Sequence, residues 1–128
     1  MQIEKVLMVD DDLSILMIAE ISLSKVGKWG VRTVDSGNKA LALISEFKPD
    51  VILLDVMMPG MDGPTTFQKL REMEETARTP VIFMTAKVQT TEVASYCELG
   101  AAGVISKPFD PLTLPSEIKQ ILGDVLVH

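Results

Sequence analysis

An α/β fold, with one five-stranded parallel sheet flanked by five helices, is what this sequence predicts. Short apolar runs of strand length recur along the chain: Val6-Leu7-Met8-Val9, Val51-Ile52-Leu53-Leu54, Val81-Ile82-Phe83-Met84 and Val104-Ile105. Helical patterns lie between them, and polar residues follow each run: Asp10 and Asp11, Asp55, Thr85, and Lys107. Helix-length connections require parallel strands, so those polar residues should emerge together at the carboxyl edge, where open α/β sheets place their ligands.

Each element has its own warrant. The first strand covers residues 3–9, and residues 13–26 read as a helix that ends in the turn containing Gly27 and Gly30. Residues 31–34 form the second strand. A helix from Ser36 then carries Ala40, Leu41, Ile44 and Phe47 at three- and four-residue steps. Pro49 ends it, because proline disfavours helical geometry in the preceding residue. Residues 51–54 are the third strand. The loop Met58-Pro59-Gly60-Met61-Asp62-Gly63 follows, and Pro64 suits the first position of a helix burying Phe67, Leu70 and Met73. Residues 81–84 are the fourth strand, 91–99 a helix with Val93, Tyr96 and Cys97 inward, and 103–105 the fifth strand. Asp110-Pro111 opens the last helix, whose Ile118, Ile121, Leu122, Val125 and Leu126 share a face. Pro115 would cost a helix starting at Pro111 a backbone hydrogen bond, so an irregular first turn is expected.

Composition narrows the function. A chain of 128 residues, 47% apolar, suits one domain, residues 1–128, with a core that needs no staples and no room for an output domain. The single cysteine, Cys97, excludes an internal disulfide framework, and no apolar stretch approaches spanning length. With no secretory leader at the amino terminus, a soluble cytoplasmic domain without membrane contact is expected. A net charge of −6, from 18 acids and 12 bases, argues against direct nucleic-acid binding, which needs a basic stripe.

Right-handed crossovers favour the flavodoxin-like strand order 2-1-3-4-5. That order makes the first and third strands neighbours, roughly 5 Å apart, and brings Asp10 and Asp11 beside Asp55. Two unit charges about 4 Å apart repel by roughly 4 kcal/mol at an effective dielectric of 20, so the cluster calls for a cation. Magnesium, which prefers oxygen ligands and keeps its waters, suits such a set. Thr85 and Lys107 add a hydroxyl and an ammonium, which completes a pocket able to hold a phosphoryl group.

The Val-Asp-Asp run ending the first strand, the segment from Leu54 to Gly63, the pair Thr85-Ala86 and the segment Lys107-Pro108-Phe109-Asp110 together resemble the receiver domain of bacterial two-component response regulators, of the chemotaxis-regulator type. The resemblance covers essentially the whole chain. It implies that Asp55 accepts a phosphoryl group from a phosphohistidine on a sensor histidine kinase or a histidine phosphotransfer protein. It further implies that Asp10, Asp11, Asp55 and the backbone carbonyl of Met57 hold magnesium. Lys107 would contact the phosphoryl oxygens, and Thr85 would hydrogen-bond one of them and draw its loop inward to signal to a downstream protein. The chain would then catalyse only its own phosphorylation and dephosphorylation. A cis bond is expected before Pro108.

Departures from the family pattern also matter. Val104 occupies the place where many receivers carry a rotating aromatic, so no aromatic switch is expected there. Met57 and Lys87, two positions after Asp55 and Thr85, offer no carboxamide to orient water, which implies slow self-hydrolysis. Asp12 is an additional acid suited to capping the first helix. In that helix Ile15, Ile18, Ala19, Ser22 and Val26 would face inward. Leu13, Leu16, Met17 and Ile21 form a second apolar stripe, of which Leu13, Leu16 and Met17 are expected to dock the kinase.

Each residue has a plainer reading alone: Asp10–Asp12 as a helix cap, Thr85 as a strand end, the methionines as packing or loop residues, His128 as a tail. The alternative with a different chemistry is a haloacid-dehalogenase-like phosphatase with Asp10 as nucleophile, suggested by Asp10-Asp11-Asp12-Leu13-Ser14. It leaves Asp55 and the loop after it unexplained, and the chain offers neither a cap domain nor an acidic pair after Lys107. A flavin-binding relative would set an anionic ligand against Asp10–Asp12.

Overall fold

In the computed structural model, which describes residues 3–86 and 90–126 (for Thr90 and 124–126 the backbone alone), five parallel strands pair in the order 2-1-3-4-5. The strands are β1 (Lys5–Val9), β2 (Gly30–Val34), β3 (Val51–Asp55), β4 (Val81–Thr85) and β5 (Gly103–Ser106). Helices α1 (Leu13–Ile21), α2 (Gly37–Phe47), α3 (Gly63–Glu72), α4 (Thr90–Glu98) and α5 (Leu114–Leu126) connect or follow them. Helices cover both faces of the sheet, so every residue of the central strands β3 and β4 is buried, which is why both read as unbroken apolar runs.

One core layer joins Val6, Met8, Leu53, Ile82 and Met84 to Leu16, Ala19 and Leu23 and to Leu114, Ile118 and Leu122 of α5. The opposite layer joins Leu7, Val9, Ile52, Leu54 and Phe83 to Ala40 and Ile44 of α2 and to Phe67 and Leu70 of α3. Caps fix where the helices start. Asp12 accepts from the amides of Ser14 and Ile15, Ser36 from Lys39, and Asp62 from Thr65. Pro64 lies in the first turn of α3, where its missing N–H costs nothing. Helix α2 stops at Lys48, which adopts a left-handed conformation (φ 52°) before Pro49.

The first helix differs from expectation. Its α-helical part ends at Ile21 and continues as a π-helical turn, Ser22–Val26, in which Gly27 N–H donates to Ser22 O. Leu16, expected on the docking stripe, is instead part of the core, while Ile18 and Val26, expected inward, are exposed. The buried stripe is Leu16, Ala19 and Leu23 with Ser22 beside it; Ile15 packs against its edge. Leu13, Met17 and Ile21 do face outward, at 65%, 65% and 59% exposure.

Cys97 is also exposed, whereas Val93 and Tyr96 are partly buried and Tyr96 stacks on Phe83. Helix α5 begins at Leu114 and not at Pro111, so Pro115 falls in its first turn and no interior hydrogen bond is lost. The residues before it form a turn organised by Asp110, whose carboxylate accepts from Leu112 N–H and whose carbonyl accepts from Leu114 N–H. The Lys107–Pro108 bond is cis, as the sequence implied. Lys87, His128 and the side chains of Val125 and Leu126 lie outside the described residues.

Candidate functional site

Strand register carries the polar residues to a common edge. Val9 pairs with Leu54 and with Val34, and Asp10 N–H continues that ladder by donating to Val34 O at 3.2 Å. Asp10 therefore stands level with Asp55, the last residue of β3. On the other side Asp55 pairs with Met84, and Thr85 with Ser106, which places Lys107 one residue beyond Thr85. Lys107 N–H donates to Thr85 O at 2.9 Å, tying the lysine's backbone to the end of β4.

The side chains converge in a cleft of about 320 Å³ lined by Asp10, Asp11, Asp12, Asp55, Met57, Thr85, Ala86 and Lys107. Asp10 is fully buried, Asp55 and Thr85 nearly so, and Asp11 is exposed. Carboxylate oxygens of Asp10, Asp11 and Asp55 all lie within 4.8 Å of one another. Lys107 Nζ sits 2.7 Å from Asp10 Oδ2 and donates to Asp55 Oδ1 at 3.0 Å. Asp10 Oδ1 accepts from Asp12 N–H at 2.9 Å.

Charge in this cleft is not balanced. Burial pushes the Asp55 carboxyl up to about 6; the Lys107 hydrogen bond opposes the rise, and the neighbouring Asp10 charge reinforces it. Burial lowers the basicity of Lys107, but its polar and charge interactions with the Asp10 and Asp55 carboxylates outweigh it and hold the ammonium above its usual range. One ammonium faces three carboxylates. Asp10 Oδ2, despite its close ion pair with Lys107, makes no hydrogen bond of good geometry, and so remains a buried anionic oxygen open to another cation. An all-oxygen donor set with excess negative charge suits a hard divalent cation.

A tight backbone approach shapes the cleft floor. A Cβ on Gly63 would lie 2.3 Å from Asp55 O, so only glycine lets the start of α3 pack under the Asp55 backbone, where Gly63 N–H donates to Val56 O. The sequence offered Gly63 only as part of a glycine-rich loop. It also gave no sign that Lys107 pairs directly with Asp10, because side-chain reach across two strands is not visible in spacing. Asp12 stays out of the carboxylate cluster and caps α1, as its plainer reading had it. Met57 projects into solvent at the cleft mouth, at 79% exposure. Among the described residues no helix is long and apolar enough to cross a membrane.

Known proteins share this arrangement. Residues 6–119 match the family model described as response regulator receiver domain. The chain is 40% identical over 119 residues to "Probable transcriptional regulator ycf27" of Guillardia theta, and 36% identical over 118 residues to "Uncharacterized transcriptional regulatory protein YclJ" of Bacillus subtilis. These alignments take in 93% and 92% of this chain but 45% and 50% of the relatives, so the chain spans about half their length. The solved chemotaxis protein CheY4 of Vibrio cholerae superposes with a TM-score of 0.86 at 32% identity, covering 94% of this chain and 99% of that one. A family match over nearly the whole chain, on a sheet order and acidic pocket reached independently, sets the phosphatase alternative aside. The chain belongs to the response regulator receiver family, phosphorylation-regulated domains of two-component signalling that partner with histidine kinases and act on no substrate but themselves.

Proposed function

We propose that Asp55 is the phosphoacceptor, that Asp10, Asp11, Asp55 and the backbone carbonyl of Met57 hold magnesium, and that Lys107 and Thr85 handle the phosphoryl oxygens. The observation that carries this reading is the convergence on Asp55 of two further carboxylates and the Lys107 ammonium. In the step, an Asp55 carboxylate oxygen attacks phosphorus, a P–O bond forms, and the P–N bond to the donor histidine breaks with its electron pair returning to the imidazole. Lys107 releases its grip on Asp55 Oδ1 to meet the phosphoryl group, while its pairing with Asp10 keeps the ammonium in place. Magnesium, when bound, supplies positive charge against the phosphoryl oxygens. Thr85 then donates its hydroxyl to a phosphoryl oxygen and draws the following loop inward, turning local charge into shape.

The phosphodonor, a histidine kinase or a histidine phosphotransfer protein, is read as docking on Leu13 and Met17 of α1. Leu16 has no part in this, being in the core. Residues 1–128 are read as a single receiver unit that works in the cytoplasm, and the phosphorylated form is read as acting on a protein target. Incubation with a small acyl phosphate tests the proposal: incorporation should require magnesium and disappear in Asp55→Asn. Incorporation that survives Asp55→Asn, or proceeds equally in excess chelator, would refute it.

A further inference from the structure

Ser22 is one of few fully buried polar side chains distant from the cleft, and no role in the proposed chemistry accounts for it. It opens the π-helical turn that follows α1, and its hydroxyl donates to the carbonyl of Pro111 at 2.5 Å, across 89 residues of sequence. Pro111 lies in the strap between Lys107 and α5. That strap is fixed at its start by Lys107 N–H on Thr85 O. In its middle Phe109 packs on the core, and at its end Asp110 organises the turn before Leu114. The Ser22 hydroxyl is the donor to the Pro111 carbonyl and ties residues 108–113 to the end of α1, while Thr113 Oγ1 donates to Glu117 of α5 and so ties the same segment to the helix that follows it.

Helix phase makes this contact possible. Ser22 is still held by the last turn of α1, its N–H bonded to Ile18 O, and three residues after Ala19 it falls on the buried side with Leu16, Ala19 and Leu23, in the core layer that also holds Leu114, Ile118 and Leu122 of α5. A helical serine commonly gives its hydroxyl to the carbonyl one turn back, as Ser24 of the same π-turn does by donating to Glu20 O. Ser22 instead reaches a different element.

We propose that Ser22 is a positioning residue for Lys107: its hydrogen bond to Pro111 anchors the strap on α1, so that the ammonium is held between Asp10 and Asp55 and moves with the helix proposed to meet the phosphodonor. The inference rests on the proposed role of Lys107. It adds a mechanical link between the Leu13–Met17 face and the reacting carboxylate that neither end discloses. Losing the hydroxyl frees the Pro111 carbonyl, loosens the strap and lowers the fraction of molecules with Lys107 in place; the carboxylates themselves are untouched.

The test uses the full chain and a small acyl phosphate, so that kinase docking does not enter. Ser22→Ala should phosphorylate 3- to 10-fold more slowly at saturating acyl phosphate, with half-saturating acyl phosphate and magnesium concentrations unchanged, well below its melting temperature. If Ser22→Ala does not fold, Ser22→Thr and Ser22→Val, matched in shape and differing in the hydroxyl, replace it: Thr should keep most of the rate and Val should lose it. A folded Ser22→Ala with the wild-type rate, a loss appearing as weaker magnesium binding, or equal rates for Thr and Val would overturn the proposal. Any of these, with Asp55→Asn still blocking incorporation, would leave the phosphoacceptor reading intact.

Discussion

Asp55 is held in a state that disfavours its own charge, and that has a measurable consequence. Its carboxyl titrates near 6 in the fold, first because of burial, against 3.8 as the ordinary value. The stability gained from protonating it is therefore full below about pH 4 and is lost as pH rises through 6, leaving the metal-free protein less stable at neutral pH. Asp55→Asn should raise metal-free stability at pH 7.5 by up to about 3 kcal/mol, the equivalent of the two-unit shift, and the gain should vanish near pH 4. Urea denaturation of both proteins at the two pH values checks this. Lys107 has the opposite sign. Its removal leaves Asp10 and Asp55 buried without a counter-charge, so Lys107→Ala should destabilise the metal-free protein by roughly 3 kcal/mol and slow phosphorylation at least tenfold. The polar residues at the four strand ends were legible in the sequence because apolar runs expose the polar residue that ends them. Their burial was not, since Asp10 and Asp11 look alike as letters while one is enclosed and the other solvated.

Helix α1 shows where periodicity loses its power. Leu13, Ile15, Leu16, Met17, Ile18, Ala19 and Ile21 are apolar almost all round the helix, so the pattern fixes that a helix forms but not which way it faces. Of the residues expected inward, Ala19 and Ser22 are buried and Ile15 packs at the edge of the core, whereas Ile18 and Val26 are exposed and Leu16 and Leu23 take inward places. By contrast α2 and α3, with polar residues between their apolar ones, present the faces expected of them. Two substitutions separate the roles on α1. Leu16→Ala should cost about 2–5 kcal/mol of stability as a core cavity. The double change Leu13→Glu with Met17→Glu should leave stability within about 1 kcal/mol while slowing transfer from a cognate kinase tenfold or more, with acyl phosphate still effective. Equal loss with both donors would remove α1 from docking.

Taken whole, the molecule is a parallel sheet whose strand ends assemble an excess of negative charge at one edge. Sheet order and register were legible because parallel crossovers admit few arrangements, and helix-length segments between buried strands left one plausible order. Contacts between segments distant in the chain, such as Ser22 with Pro111 across 89 residues, have no signature in local spacing. Since a divalent cation relieves the repulsion among Asp10, Asp11 and Asp55, folding and metal binding should be linked. Magnesium at a hundred times its dissociation constant should stabilise the fold by about 3 kcal/mol, seen as a higher melting temperature that a chelator abolishes and that Asp55→Asn reduces.

The convergence on Asp55 is tested most directly by locating the modification. After phosphorylation with a small acyl phosphate and magnesium, reduction of the aspartyl phosphate by borohydride and peptide mass spectrometry should find the label on Asp55 alone. Label on Asp10, or on an aspartate outside the cleft, would contradict the account.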